Sequence, residues 1–395
     1  MKFAFKKENL PPMWLDAAHF VNDIYTGMLN PIMPFIAVKL GISMAVATIV
    51  LSLSHICASL LQPIFGFFAD NIIKRSFIFW GLLMSSVFIS LAPCAHSLYY
   101  LIIFIILGSL GSSIFHPQAL GFSVRFARSD ASKNMGAFIG LGTVGFSLGP
   151  IVSAGVTQFL GLAHMPYLCI FGVLLAFVMF ICIPKISNTG IKVESKKFGV
   201  AFSSILKNRK LNLLIVISIL KTLVTTSSTI LLPFLWKDLG RNPFYIGFAL
   251  FAFTFAGGIG SLISGKIEQK FGTPKVFYVS LMATLPLMIA FAYTYKILPT
   301  IALCIYILMG LTTMMAMPIT MVMAQSVIPD YKSIIGGFIN GFSWGIVAIF
   351  MTGIGFIAQA NGIIPVLLCV SLIPAVAAPF VINKLFAENK LKLNN

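Results

Sequence analysis

Near its start the chain holds charge where an apolar segment should hold none. In 14-WLDAAHFVNDIYTGMLNPIMP-34, Asp16, His19, Asn22 and Asp23 interrupt a run that otherwise reads as a membrane span. At 100° per residue, Asp16, His19, Asp23, Thr26 and Asn30 fall within about 80° of arc. They form one polar stripe. An aspartate in mid-bilayer costs ~2.5–3.5 kcal/mol on insertion scales, so such a stripe faces the protein interior and marks a candidate functional site. A buried carboxylate can take up and release a proton. So can an imidazole, which titrates near neutral pH. His116 supplies a second one in 108-GSLGSSIFHPQALG-121. It lies toward one end of a narrow face of Gly108, Ser109, Ser112, Ala119 and Ser123, with Pro117 expected to kink the helix. A bonded interfacial imidazole explains His116 equally well. His55 reads as structural, and His96 and His164 fall in outer loops.

A fixed positive charge stands in 213-LLIVISILKTLVTTSSTILLPFLW-236, where Lys221 shares a helical face with Ser218, Thr225, Ser228 and Thr229. An ammonium at that depth can hold an anion. It can also pair with a carboxylate such as Asp23 and brace two parts of the protein.

These residues need membrane-spanning helices to position them. The chain is 58% hydrophobic and 9% charged, against about 25% charged in soluble domains. Apolar runs of about 20 residues, the length that crosses a bilayer, recur at 13–38, 43–69, 76–93, 98–124, 135–160, 165–184, 211–236, 243–264, 276–294, 298–323, 334–359 and 363–383. The runs are continuous, not alternating, which excludes a β-barrel. The expected fold is an all-α integral membrane protein of twelve transmembrane helices. The first apolar segment is too long and too polar for a cleavable signal peptide.

The net charge of +17 does not point to nucleic acid. With both termini cytoplasmic, one set of loops carries Lys2, Lys6, Lys7, Lys74, Arg75, Arg125, Arg128, Lys133, the 185–210 cluster, Lys266, Lys270, Lys275 and Lys332. The opposite set carries Lys39, Lys237, Arg241 and Lys296. That asymmetry sets orientation. The six cysteines are scattered without a CxxC pair, so neither a disulfide framework nor a metal site is indicated.

The basic segment 185–210 divides the chain into residues 1–184 and 211–395, six spans each, the second ending in a short cytoplasmic tail. The halves resemble one another at an offset near 200. The segment 34-PFIAVKLG-41 aligns with 233-PFLWKDLG-240, Gly66 with Gly265, Pro117 with Pro318, and 136-GAFIGLGTVG-145 with 336-GGFINGFSWG-345. Six spans per half keep both halves in one orientation. The repeat is therefore parallel, with a binding site expected at the midplane between two pseudo-symmetric bundles. Under the same offset Lys221 falls on Asn22, beside Asp23.

No HExxH, nucleophile elbow or P-loop is present, so no enzymatic site and no cofactor is expected. Without a nucleotide site, energy for transport would come from an ion or solute gradient. A membrane sensor is a poorer reading, because the chain has no sizeable soluble output domain.

These features together resemble the major facilitator superfamily over nearly the whole chain. Within it, 19-HFVNDIY-25, 61-LQPIFGFFAD-70, 109-SLGSSIFHPQ-118 and 141-LGTVGFSLGP-150 are similar to the fosmidomycin-resistance group of exporters. Gln118 stands where that group has an acid; if that acid assists coupling in relatives, either Asp23 or His116 does so here, or the coupling differs. The resemblance implies a cytoplasmic conformational latch at Gly66, Asp70, Lys74 and Arg75, with a repeat copy at Gly265, Lys270, Gly272 and Lys275. Asn71 and Ile73 depart from the usual basic residue and glycine, and Gln269 replaces the acid in the copy. Gly136, Gly145, Gly149 and Pro150 fit the antiporter motif, but Ser153 replaces its next glycine. The resemblance further implies a monomeric exporter in the bacterial inner membrane, among lipid. It would exchange protons for a small organic or drug-like solute, with anions among the candidates. Uptake by proton symport is the rival.

Overall fold

A computed structural model describes residues 10–62, 64–65, 75–126, 131–183, 198–328 and 332–392. It is helical, with no strand among the described residues. We number the helices α1 (Leu10–Gly27), α2 (Leu29–Leu40), α3 (Met44–Ser59), α4 (Arg75–Leu91), α5 (Leu98–Phe126), α6 (Ala131–Phe159), α7 (Cys169–Cys182), α8 (Phe198–Lys207), α9 (Arg209–Asp238), α10 (Pro243–Phe271), α11 (Thr273–Met282), α12 (Thr284–Thr294), α13 (Pro299–Thr313), α14 (Ala316–Val327), α15 (Lys332–Gly337), α16 (Ser343–Asn361) and α17 (Ile363–Lys392).

Among the described residues, ten stretches are long and apolar enough to cross a membrane. The polar first span, α1 with α2, and the shorter apolar α3 bring the total to the expected twelve. The first span is broken at Met28, between α1 and α2. Pro31 supplies no N–H there, which interrupts the helical ladder. Ser153 donates its hydroxyl to the Met28 carbonyl at 2.8 Å. The substitution that weakened the glycine motif thus supports this break. The helix α5 runs through Pro117 and α6 through Pro150.

Local signals close the elements where the sequence places them. Asn208 caps α9, its side chain accepting from Leu211 N at 3.0 Å. The aligned segments ending at Gly41 and Gly240 finish alike: both glycines are left-handed, with φ of 64° and 72°. That conformation stops a helix and is open to glycine at little cost.

The chain forms two compact units. One comprises Met1–Ile42, Leu53–Lys196 and Asn242–Phe248; the other comprises Ser43–Ser52, Lys197–Arg241 and Ala249–Asn395. The first has a core of Leu15, Ala18, Ile78, Leu82, Phe115, Phe122 and Phe138 among others. The second is built on Leu214, Ile217, Phe277, Leu281, Ala316 and Ile335. Both cores are apolar, and so is lipid. Packing inside the bilayer therefore rests on close approach and on hydrogen bonds.

Candidate functional site

The site in the first unit grows from a seam between α1 and α6. The seam is tight because glycines face main chain. A Cβ on Gly145 would strike the Phe20 carbonyl oxygen, and one on Gly149 the Ile24 carbonyl oxygen. Gly27 answers from the other side, where a Cβ would lie 2.5 Å from the Phe146 carbonyl. One turn before Gly145, Gly142 leaves room for the His19 ring, whose Nε2 would lie 2.6 Å from a Cβ there. The ring also stacks on Phe138, with centroids 4.0 Å apart.

This seam turns the polar stripe of α1 toward α5. His19 Nε2 lies 3.2 Å from Asp23 Oδ2, and His116 Nε2 lies 3.1 Å from Asp23 Oδ1. One carboxylate is thus shared by two imidazoles, whose centroids are 5.2 Å apart at a near-perpendicular angle. Asn22 is fully buried. It donates to Asp23 Oδ1 at 3.1 Å and to Ser112 Oγ at 3.2 Å. The His19 and Asp23 side chains are 8% and 13% exposed and that of His116 is 26%, so His116 is the most accessible member.

The far nitrogens are fixed as well. His19 Nδ1 lies 2.8 Å from the Phe138 carbonyl oxygen, and His116 Nδ1 lies 2.8 Å from the Ser112 carbonyl oxygen. A carbonyl can only accept, so each Nδ1 carries the proton. Each Nε2 is left facing the carboxylate. A nitrogen and an oxygen at this separation need a proton between them, on one atom or the other. The arrangement is complete with two protons in its two contacts. Removing one sets a nitrogen lone pair against an oxygen lone pair, and that contact must open.

The same imidazole nitrogens and a carboxylate oxygen lie within 4.8 Å of one another, a spacing that a divalent metal would accept. No such ligand spacing is legible in the sequence, because the fold assembles it from two helices. The Nε2–oxygen distances are those of direct hydrogen bonds.

Of the other residues singled out in the sequence, Asp16 is half-buried on α1, one turn before His19. Gln118 is buried on α5, 2% exposed, two residues beyond His116. Lys221 is in the second unit on α9, and the structure brings the two histidines of the first unit to Asp23. Gly136 lies near the start of α6. Gly66, Asp70 and Lys74 fall outside the described residues, as does the linker from 185 to 197, and Arg75 begins α4. Lys270 sits at the end of α10 with its ammonium 5.3 Å from the Phe271 ring centre. Sequence reasoning missed Phe138 and Gly142. It placed Ser112 on the His116 face without its role, although a spacing of four residues was a legible signal.

Comparison with known proteins agrees with this architecture. A family profile described as the Major Facilitator Superfamily matches residues 15–379. The chain is 22% identical over 375 residues to YfnC of Bacillus subtilis (strain 168), described as an uncharacterised MFS-type transporter; the match covers 90% of this chain and 88% of the relative. It is 23% identical over 364 residues to the fosmidomycin resistance protein of Escherichia coli (strain K12), covering 88% and 86%. Among solved structures it resembles the nucleoside transporter NupG, with a TM-score of 0.74 at 15% identity over 95% of this chain and 99% of that one. It also resembles a bacterial homologue of the human lysosomal transporter Spinster, with a TM-score of 0.71 at 14% identity over 98% of each chain. At these identities the structural likenesses establish the fold.

Proposed function

The chain belongs to the Major Facilitator Superfamily, and we propose that it is a proton-coupled exporter that exchanges protons for a small organic solute by alternating access. One observation carries this: a single buried carboxylate shared by two imidazoles whose other nitrogens are both committed to carbonyls. In this cycle the intact cluster is the loaded state. Loss of one proton opens an Nε2–carboxylate contact and frees α1 from α5 at that point, so proton release and helix movement become one event. Coupling needs a two-state element of this kind. Asp23 and the two histidines act as a unit, so the proton belongs to no single member. His116, the most exposed, is the gate of exchange with water. Asp16 lies next along the stripe and relays protons toward the cytoplasmic side.

Export is favoured by the glycine-lined seam at Gly145, Gly149 and Pro150 and by the likeness to the fosmidomycin resistance protein. The lysine and arginine distribution supports cytoplasmic termini in a bacterial inner membrane. We take the chain as a monomer in lipid, with residues 1–184 and 211–395 as its two functional halves. The loop of Gly66, Asp70, Lys74 and Arg75 serves as a cytoplasmic latch, with Lys270 in its repeat copy.

The test is proton flux in proteoliposomes. Asn at position 23 can donate to one imidazole and accept from the other, so the Asp23→Asn protein keeps its shape but loses one contact proton. His116→Gln loses it too. A wild-type proton-to-solute ratio in Asp23→Asn would remove Asp23 from the coupling site. For direction, inside-acid everted vesicles should accumulate solute. Accumulation in right-side-out vesicles under an inward proton gradient would establish uptake instead.

A further inference from the structure

The second unit holds a charge that none of the described residues balances. Lys221 lies near the middle of the thirty-residue α9 and is 3% exposed. Among the described residues its ammonium meets no carboxylate and makes no hydrogen bond. After residue 197 the acids are Asp238, Glu268, Asp330 and Glu388. Asp238 closes α9, 17 residues away, which is about 25 Å along a helix. Glu268 lies in the last turn of α10, where it accepts from Thr273 Oγ1 at 2.6 Å. Asp330 falls between α14 and α15, and Glu388 in the last turns of α17. In the first unit, both oxygens of Asp23 are occupied by histidines.

The neighbouring hydroxyls do not answer the ammonium. On its face, Ser218 donates to the Ile339 carbonyl at 2.8 Å, Thr225 to the Lys221 carbonyl at 3.2 Å and Ser228 to the Thr225 carbonyl at 3.0 Å. The partner of Ser218 lies in a π-helical turn, Phe338–Phe342, between α15 and α16. Single π-helical turns of this kind are frequent at functional sites. A buried ammonium without a partner is unfavourable unless something else brings the opposite charge.

We propose that Lys221 is the seat of an anionic group on the transported solute, which makes the substrate class a small organic anion: a phosphonate, carboxylate or sulfonate. The ammonium donates to the anion's oxygens, and the hydroxyl-lined face of α9 beside the π-helical turn supplies the polar wall. The counter-charge is the cargo itself. The positive charge is then neutralised only when solute is aboard, so the empty and loaded carriers differ electrostatically at this point.

The inference rests on reading the chain as a solute transporter, and its test is kept apart from proton coupling. Purified full-length protein is heated with phenylphosphonate, benzoate or benzenesulfonate, and with the neutral partners dimethyl phenylphosphonate, benzamide or benzenesulfonamide. At least one anion should raise the wild-type Tm while its neutral partner does not. Lys221→Gln should weaken that anion about tenfold to hundredfold, the scale of a lost charge-assisted hydrogen bond, and Lys221→Arg should keep most of it. Without ligand, Lys221→Met should melt at or above the wild-type temperature, because it removes an unpaired charge. A lower Tm would mean that a structural ion pair had been cut, and overturns the proposal. Stabilisation by none of the anions, or equal stabilisation by the neutral partners, overturns it as well. An anion that binds at Lys221 yet crosses proteoliposomes without proton flux refutes the coupling and leaves this site standing.

Discussion

Gly142→Ala adds one methyl group and reaches the proton cluster without touching a titratable residue. The new Cβ would lie 2.6 Å from His19 Nε2 and 2.7 Å from Nδ1. The ring's Cε1 would come closer still, and ordinary contact begins near 3.4 Å, so the ring must move by at least about 0.8 Å. It cannot do so freely, because it is stacked on Phe138 and bonded at both ends. Phe138 stands one turn before Gly142 on the same helix. Movement away from α6 therefore stretches the Nδ1–Phe138 bond from 2.8 Å to about 3.6 Å, beyond hydrogen-bond range. A buried group left unpaired costs about 1–3 kcal/mol, which is roughly 5- to 150-fold in the population of the intact cluster. Once Nδ1 is released, His19 can place its single proton on Nε2 and meet Asp23 as a neutral ring. The site then completes itself with one proton fewer. The assay is the proton-to-solute ratio in proteoliposomes, read with solute binding as the control for folding. The ratio should fall while binding persists. A wild-type ratio at a wild-type rate would refute the claim that the Phe138 carbonyl sets the proton count.

The other expectations concern the frame around the cluster. Gly145→Val drives a side chain into the Phe20 carbonyl and should destabilise by about 1–3 kcal/mol, read as a fall in Tm. Gly140→Ala, where a Cβ meets nothing within 4 Å, should raise stability by about 0.5–1 kcal/mol; a fall at position 140 matching that at 145 would refute the seam as the cause. Tyr25→Phe removes a hydroxyl that donates to the Leu168 carbonyl at 2.7 Å and accepts from Gly172 N at 3.0 Å. It should cost about 1–3 kcal/mol, and an unchanged Tm would show that water replaces it.

Much of this protein is legible in its chain because membrane constraints are local. Hydrocarbon length and backbone satisfaction dictate about twenty apolar residues per span, so the spans can be read one at a time. The polar stripe of the first span follows from helical periodicity, whereas its break at Met28 appears only in the structure. His19 and Asp23 stand one turn apart, so their contact was available from spacing alone. Even the repeat, with its glycines ending equivalent helices at positions 41 and 240, needed only the chain aligned on itself.

The identity of Asp23's second partner needed the fold. The repeat offered Lys221, and only the packing of α1 on α5 and α6 brings His116 to the carboxylate. Asn22 reaches Ser112 across 90 residues, and His19 reaches Phe138 across 119. The His19 bond arises where glycines let the main chains of α1 and α6 approach, and glycine spacing does not name the helix on the other side. The proton count depends on two carbonyls, which no residue type announces. Lys221 divides in the same way. Its charge and depth are written in the sequence. That none of the described residues of its unit neutralises it is a property of every neighbour at once, which only the packed structure supplies.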